Sequence, residues 1–211
     1  MYSCVIFDVD GTIIDTEVAV LSSLQKLLQI EKRKTYSFEE LAFVLGIPGE
    51  VALKHFNISD IKKANNEWNK YLREFEHHIN IFPDLQDTLI TLWKAGIKTG
   101  IVTSKTKQEL IDDFYPFNLQ NYLSYIVCAD DTVKHKPHPE PLLKFLDISK
   151  CDPADAIYIG DTKYDSQCAK EANVSFGLAL WGAKNSDSID AEFLLKSPKD
   201  ILEIVKYPCE Q

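Results

Sequence analysis

Two aspartates one residue apart, Asp8 and Asp10, end an apolar run and open a glycine turn, in Cys4-Val5-Ile6-Phe7-Asp8-Val9-Asp10-Gly11-Thr12-Ile13-Ile14-Asp15. Carboxylates at i and i+2 at a strand end point the same way if the pleat continues. If the turn loosens the pleat, one side chain and one backbone carbonyl can aim at a common ion. In either geometry, anionic oxygens gather at the carboxyl end of a strand, where open α/β sheets bind ligands. Such oxygens suit a hard divalent cation such as Mg²⁺, which takes a few carboxylates and shares its shell with substrate phosphate. The same residues also make an ordinary tight turn, so the chemistry depends on what the rest of the chain brings to this point.

Three further segments have complementary chemistry. Lys98-Thr99-Gly100-Ile101-Val102-Thr103-Ser104-Lys105 reads as a strand ending in two hydroxyls and a lysine. Hydroxyls and N–H groups at such an end can grip phosphate oxygens, or Thr103, Ser104 or Thr106 can cap the next helix. In Lys134-His135-Lys136-Pro137-His138-Pro139-Glu140, the proline after Lys136 favours an extended backbone. A lysine held there can neutralise a transferring phosphoryl group. His135 and His138 do not suggest a metal site, because no other His or Cys falls at ligand spacing nearby. In Ala156-Ile157-Tyr158-Ile159-Gly160-Asp161-Thr162-Lys163-Tyr164-Asp165, a buried strand meets two aspartates about one helical turn apart, so both can face one point. Asp165 is equally suited to the first turn of a helix, where acids favour the dipole.

The elements that must position these residues follow from periodicity. From Thr16 to about Leu28, apolar residues at Leu21, Leu24, Leu27 and Leu28 repeat at helical spacing. Ser37 and Glu40 form a candidate capping box for a second helix, broken by Leu45-Gly46-Ile47-Pro48-Gly49. A longer helix is expected from Ser59 to about His78, with a core stripe of Ile61, Ala64, Trp68, Tyr71, Leu72 and Phe75 and with His77-His78 at its end. Nothing from 16 to 82 reads as a strand. After Pro83, a helix carrying Leu85, Leu89, Leu92 and Trp93 precedes strands near 98–103, 125–128, 156–160 and 175–180. Alternating strands and helices indicate an α/β fold with a doubly wound parallel sheet. The first strand, 3–8, must join that sheet across the insert. Residues 1–15 with 83–211 therefore form the expected core and residues 16–82 a small all-helical cap domain, with crossings near 15–17 and 79–83 as a hinge pair.

The four motifs, in this order, resemble the haloacid dehalogenase (HAD)-like superfamily of phosphohydrolases, specifically the branch with a helical cap after the first motif. Within it the chain is similar to phosphoglycolate phosphatases and related pyrophosphatases, through Ile101-Val102-Thr103-Ser104-Lys105 and Lys136-Pro137-His138-Pro139-Glu140-Pro141. Phe82-Pro83-Asp84 departs from the pattern, since relatives often carry Pro-Gly there. The resemblance implies a Rossmann-like core and Mg²⁺-dependent hydrolysis of a small phosphorylated metabolite through an aspartyl-phosphate. Asp8 is then the nucleophile and Asp10 the acid and base. Asp8, Asp161 and the Asp10 carbonyl hold the metal, and Asp165 acts through an intervening water. Thr103, Ser104 and Lys136 hold phosphate oxygens. Gly46 and Ile47 belong to a cap loop facing the substrate, or to a plain helix break.

Cleavage of pyrophosphate by the same machinery is the nearest alternative. A phosphomutase is disfavoured because Thr16-Glu17-Val18-Ala19-Val20 has no histidine. A dehalogenase or phosphonatase is disfavoured because Asp10 supplies an acid those reactions do not need. A non-catalytic phosphometabolite sensor is disfavoured by the intact Asp8, Asp10, Thr103, Lys136 and Asp161.

Composition bounds the rest. The 211 residues are 45% hydrophobic, enough for a full core. A net charge of −9 argues against nucleic acid or anionic membrane as partner. No apolar run approaches the ~20 residues that span a bilayer. Met1 leads almost at once into a core strand, so no signal peptide is visible. Cys4, Cys128, Cys151, Cys168 and Cys209 show no paired spacing, which suggests reduced thiols and a cytoplasmic location.

Overall fold

The structure is a computed structural model that describes residues 1–184 and 186–205; Cys209 lies outside the described residues. Its centre is the four-residue strand β1 (Cys4–Phe7), buried throughout. Parallel neighbours flank it on both sides, β4 (Lys98–Val102) and β6 (Ala156–Gly160), with Phe7 opposite both Ile101 and Ile159. β5 (Tyr125–Val127), β7 (Ser175–Ala179) and β8 (Phe193–Leu195) extend the sheet to the order β5-β4-β1-β6-β7-β8. Winding therefore reverses direction at β1, the switch point at which such sheets bind ligands. β8 was not expected from the sequence. Three residues with one exposed position carry too little periodicity to register.

Side chains alternate across the sheet and build two cores. Val5, Phe7, Ile157 and Ile159 pack on one side with Leu85, Leu89 and Leu92 of α5 (Leu85–Lys94). Cys4, Ile6, Ala156 and Tyr158 pack on the other with Leu142, Phe145 and Leu146 of α7 (Glu140–Ser149) and Cys168 and Ala169 of α8 (Lys163–Glu171). Each fully buried Leu, Ile or Phe contributes about 1.5–3 kcal/mol. Trp93, which the sequence grouped with Leu85, Leu89 and Leu92 on α5, is 53% exposed while those leucines are buried. Its indole meets Tyr122 edge-on, with ring centroids 6.0 Å apart.

Between β1 and α5 lies the helical segment. α1 (Glu17–Lys32), α2 (Phe38–Leu41), α3 (Gly49–Lys54) and α4 (Ile61–Glu74) enclose a third core with Leu21, Leu24, Leu28, Leu53 and Trp68. The Trp68 indole N–H donates to Ser23 Oγ at 2.9 Å, so this buried tryptophan is satisfied. Ser37 and Glu40 form the expected capping box. α4 is shorter than expected: Asp60 caps it, its side chain accepting from the Lys63 N–H at 3.0 Å. The expectation of no strand between 16 and 82 is corrected. β3 (Asn80–Ile81) pairs antiparallel with β2 (Ile14–Asp15), tying both crossings into one ribbon. Two-residue strands are too short for any period to show.

Asp84 sits where relatives often carry glycine, and its φ is 65°. Aspartate tolerates this left-handed conformation better than most residues, and its carboxylate lies 2.6 Å from Lys199 Nζ on the surface. That exposed pair is worth at most about 1 kcal/mol. We expect Asp84→Gly to leave stability within about 1 kcal/mol of wild type or raise it, whereas Asp84→Val should cost roughly 1–2 kcal/mol. Urea unfolding of the two variants checks this, and equal effects would contradict the strain argument.

Candidate active site

Three neighbouring strands each stop one residue short of a residue singled out from the sequence. Phe7 precedes Asp8, Val102 precedes Thr103, and Gly160 precedes Asp161. Because the strands are parallel and in register, these residues share one edge of the sheet. The loop after β5 adds Lys136, whose bond to Pro137 is cis.

The ammonium of Lys136 is almost wholly buried among oxygens. It lies 2.9 Å from Asp8 Oδ1 and 2.7 Å from Asp165 Oδ1, and donates to the Tyr158 hydroxyl at 3.1 Å. That hydroxyl is 2.9 Å from both the Val102 carbonyl and Asp165 Oδ1, and can donate to one of them. The other Asp165 oxygen accepts from the Thr162 N–H at 3.1 Å and hydroxyl at 2.5 Å. Thr162 and Asp165 thereby close a capping box on α8, so Asp165 is both helix cap and member of the cluster. Asp161 completes the group, with Thr12 Oγ1 donating to its Oδ1 at 3.3 Å. Gly11 is needed beside it: φ is +75°, and a Cβ there would stand 2.2 Å from Asp161 Oδ2.

Electrostatics follow from this crowding. Burial pushes the Asp8 carboxyl up to about 7; Lys136 opposes the rise, and Asp165 and Asp10 add to it. Burial, then Asp165 and Asp8, push Asp161 well above the usual carboxylate range. Burial opposes the charge on Lys136, but Asp165 and Asp8 outweigh it and keep the ammonium protonated. Carboxylate oxygens of Asp8, Asp161 and Asp165 lie within 4.8 Å of one another. Three carboxyl groups facing one ammonium make an all-oxygen donor set that fits a hard divalent cation, whose charge would favour their ionised forms.

Asp10 stands slightly apart from these three. Its Oδ1 lies 3.1 Å from Lys105 Nζ, which also donates to Asp113 Oδ2 at 2.6 Å. Thr103 is buried, and its Oγ1 accepts from the Lys105 N–H at 3.2 Å. The Ser104 hydroxyl, singled out as a phosphate ligand, donates to the Gly46 carbonyl at 3.0 Å and thus holds the cap loop. Gly46 has φ +85°, and a Cβ there would sit 2.7 Å from Thr162 Cγ2.

Above the cluster lies a cavity of about 190 Å³. Asp8, Asp10, Asp161, Ser104, Gly46 and Ile47 line it; Thr103, Lys136 and Asp165 are buried and do not contribute to its lining. Sequence reasoning gave no role to Tyr158, Thr12, Lys105 or Asp113. A tyrosine inside an otherwise aliphatic strand was a signal for the first; Thr12 and Lys105 meet Asp161 and Asp10, which are distant in sequence, and Asp113, eight residues from Lys105, is one of many surface-type acids along the chain. Trp181 was also missed; its indole donates to the Thr12 carbonyl at 2.9 Å and steadies the first loop.

A parallel sheet with carboxylates at its switch point and a helical segment over them defines a hydrolase class of α/β protein. The haloacid dehalogenase-like hydrolase family matches residues 5–179, from β1 through β7, and the chain belongs to that family. It is 30% identical over 209 residues to pyrophosphatase PpaX of Bacillus pumilus, covering 95% of each chain. A Lactobacillus plantarum structure assigned as a phosphoglycolate phosphatase superposes with a TM-score of 0.88 at 29% identity, covering 96% of this chain and 99% of that one. A HAD-superfamily hydrolase of subfamily IA, variant 1, from Geobacter sulfurreducens gives 0.73 at 25% identity, covering 97% of both. Among the described residues, no helix is long and apolar enough to cross a membrane.

The Asp8 carboxyl predicts a stability signature. Its ordinary value is 3.8 and its folded value about 7. Between those pH values the folded chain keeps a proton that the unfolded chain has lost. Without a divalent cation, this group's contribution to stability is therefore present below pH 4 and lost as pH rises through 7. We expect Asp8→Asn to raise Tm relative to wild type in chelator at pH 7 more than at pH 4.5. A divalent cation should stabilise wild type more at pH 7 than at pH 4.5. A pH-independent difference between the two proteins would contradict the assignment.

Proposed function

We propose that this chain hydrolyses a small phosphorylated metabolite by transferring its phosphoryl group to Asp8. The observation that carries this reading is the buried contact of Asp8 with Lys136 at 2.9 Å, with Asp161 and Asp165 converging beside them. A carboxylate nucleophile divides one difficult hydrolysis into two easier displacements. In the first, an Asp8 oxygen bonds to phosphorus as the bond to the leaving oxygen breaks, and Asp10 gives that oxygen a proton. In the second, water attacks phosphorus, Asp10 takes its proton, and Asp8 and orthophosphate are released.

Asp8, Asp161 and the Asp10 carbonyl are proposed to hold Mg²⁺, with Asp165 behind them. The ion would supply positive charge against a phosphoryl group that these carboxylates would otherwise repel. Lys136 and the hydroxyl of Thr103 hold phosphoryl oxygens, with Ser104 at the boundary between that group and the Gly46 loop. Residues 16–82 act as a lid over a core of 1–15 and 83–211. The lid excludes water and contacts the leaving group. Phosphoglycolate-like esters and sugar phosphates fit this reading. Pyrophosphate is the second, favoured by the 30% identity to Bacillus pumilus pyrophosphatase PpaX.

A screen of phosphorylated metabolites that includes pyrophosphate, with Mg²⁺ present, separates the substrates. Asp8→Asn should lower turnover by roughly four orders of magnitude or more on any of them. Excess chelator should abolish activity and Mg²⁺ restore it; full activity in chelator contradicts the metal role. Exchanging Gly46-Ile47-Pro48 for another loop should change kcat/KM for the preferred metabolite more than for a small aryl phosphate, because remote contacts discriminate between leaving groups. Equal losses would leave that loop a helix break only.

A further inference from the structure

Lys105 is a buried cation of the cavity wall to which the proposed reaction gives no role. Its side chain is 8% exposed, that of Asp113 11%, and that of Asp10 24%. The bond from Lys105 Nζ to Asp113 is an aligned hydrogen bond. The contact with Asp10 is one of charge, and Asp10 Oδ1 is sealed off with no hydrogen-bond partner. What exposure Asp10 retains toward the cavity therefore belongs to the rest of its side chain.

Lys105 is itself firmly placed. Its N–H donates to Thr103 Oγ1 at 3.2 Å, and its carbonyl accepts from the Ala129 N–H at 2.8 Å. Asp113 ends α6 (Lys107–Asp113), a helix started by a Thr106–Glu109 capping box. The helical segment docks on that same helix: Asn69 donates to Glu109 at 3.0 Å, and Arg73 lies 2.7 Å from Asp112. A continuous set of contacts thus runs from α4 through α6 and Lys105 to Asp10.

We propose that Lys105, anchored by Asp113, is a positioning residue that pins one oxygen of the Asp10 carboxylate and leaves the other facing the leaving group. The inference rests on the proton-transfer role proposed for Asp10. The terminal torsion of an aspartate is broad and roughly two-fold, so an unpinned carboxylate spreads its oxygens over many directions. Proton transfer needs the oxygen within hydrogen-bond reach of the departing atom, and a misplacement of about 1 Å can cost on the order of 10²-fold. An ion pair that merely tied α6 to the first loop would change stability without regard to the leaving group.

The leaving group therefore provides the test. Nitrophenolate departs without a proton, whereas an alkoxide needs one. We would measure kcat/KM, which reports steps up to loss of the first product, for 4-nitrophenyl phosphate and for an alkyl phosphate. Lys105→Met should lower the alkyl value by about 10²-fold and the nitrophenyl value by less than about 10-fold. Lys105→Arg should restore most of the alkyl activity, and Asp113→Asn should show the same asymmetry more weakly. Equal losses on both esters, or no loss on either, overturn the proposal. If Lys105→Met does not fold, the same comparison on Asp113→Asn decides it. Hydrolysis of both esters that survives Asp8→Asn overturns the aspartyl-phosphate reading itself, a result distinct from symmetric losses at Lys105.

Discussion

Three carboxylates and one ammonium are buried together beside the ends of β1 and β6, Asp8 and Asp161 from the strand ends, Asp165 from the first turn of α8 and Lys136 from the loop after β5, and much of the core serves that burial. Like charges about 4 Å apart repel by roughly 4 kcal/mol per pair at an effective dielectric near 20. Lys136 offsets part of this by touching Asp8 and Asp165 at once. The rest falls to hydrogen bonds: Tyr158 and Thr162 on Asp165, and Thr12 on Asp161. The oxygens left without an ammonium partner are what suit the cluster to a divalent cation. Val5, Phe7, Ile157 and Ile159 on one face, with Ile6 and Tyr158 on the other, give the charged edge a close-packed base.

The same constraint explains how work divides between the two parts of the chain. The carboxylates, Thr103 and Lys136 belong to the sheet edge, the loops leaving it and the first turn of α8. Groups on the cavity wall are drawn from both parts: Gly46, Ile47 and Trp68 from the helical segment, Ser104 and Lys105 from the core. Ala19, Leu72 and Ile79 of the helical segment share the apolar cluster of the sheet, and the polar part of the join is Asn69 and Arg73 of α4 on Glu109 and Asp112 of α6, Lys184 with Glu17, and Ser104 on Gly46. Polar interactions of this kind are worth about 1 kcal/mol each.

Relatives named for pyrophosphate and for phosphoglycolate share this architecture. A phosphoryl group presents the same three oxygens whatever it leaves behind, so one carboxylate cluster can serve both. In the proposed reading, selection between leaving groups falls to the cavity wall.

The sequence by itself determined five of the six strands of the sheet and the residues of the cluster. β1, β4, β6 and β7 announced themselves as apolar runs, because parallel strands buried on both faces must be apolar throughout. Asp8 and Asp161 were legible because each sits at a run's end, Lys136 because it precedes a proline, and Asp165 because it follows Asp161 by about one helical turn. The Ser37–Glu40 cap and the break at Gly46 were legible for the same reason. Short strands were not: β2, β3 and β8 hold two or three residues each and leave no period. The solvent position of Trp93 was also hidden, since helical spacing gives a face but not what covers its edge. Only the tertiary structure decided that Lys105 meets Asp10 and Asp113, that Tyr158 braces Lys136, and that Ser104 reaches Gly46 instead of standing free. Those contacts join residues up to 95 positions apart, and a charge or hydroxyl carries no local sign of which distant partner folding will bring to it.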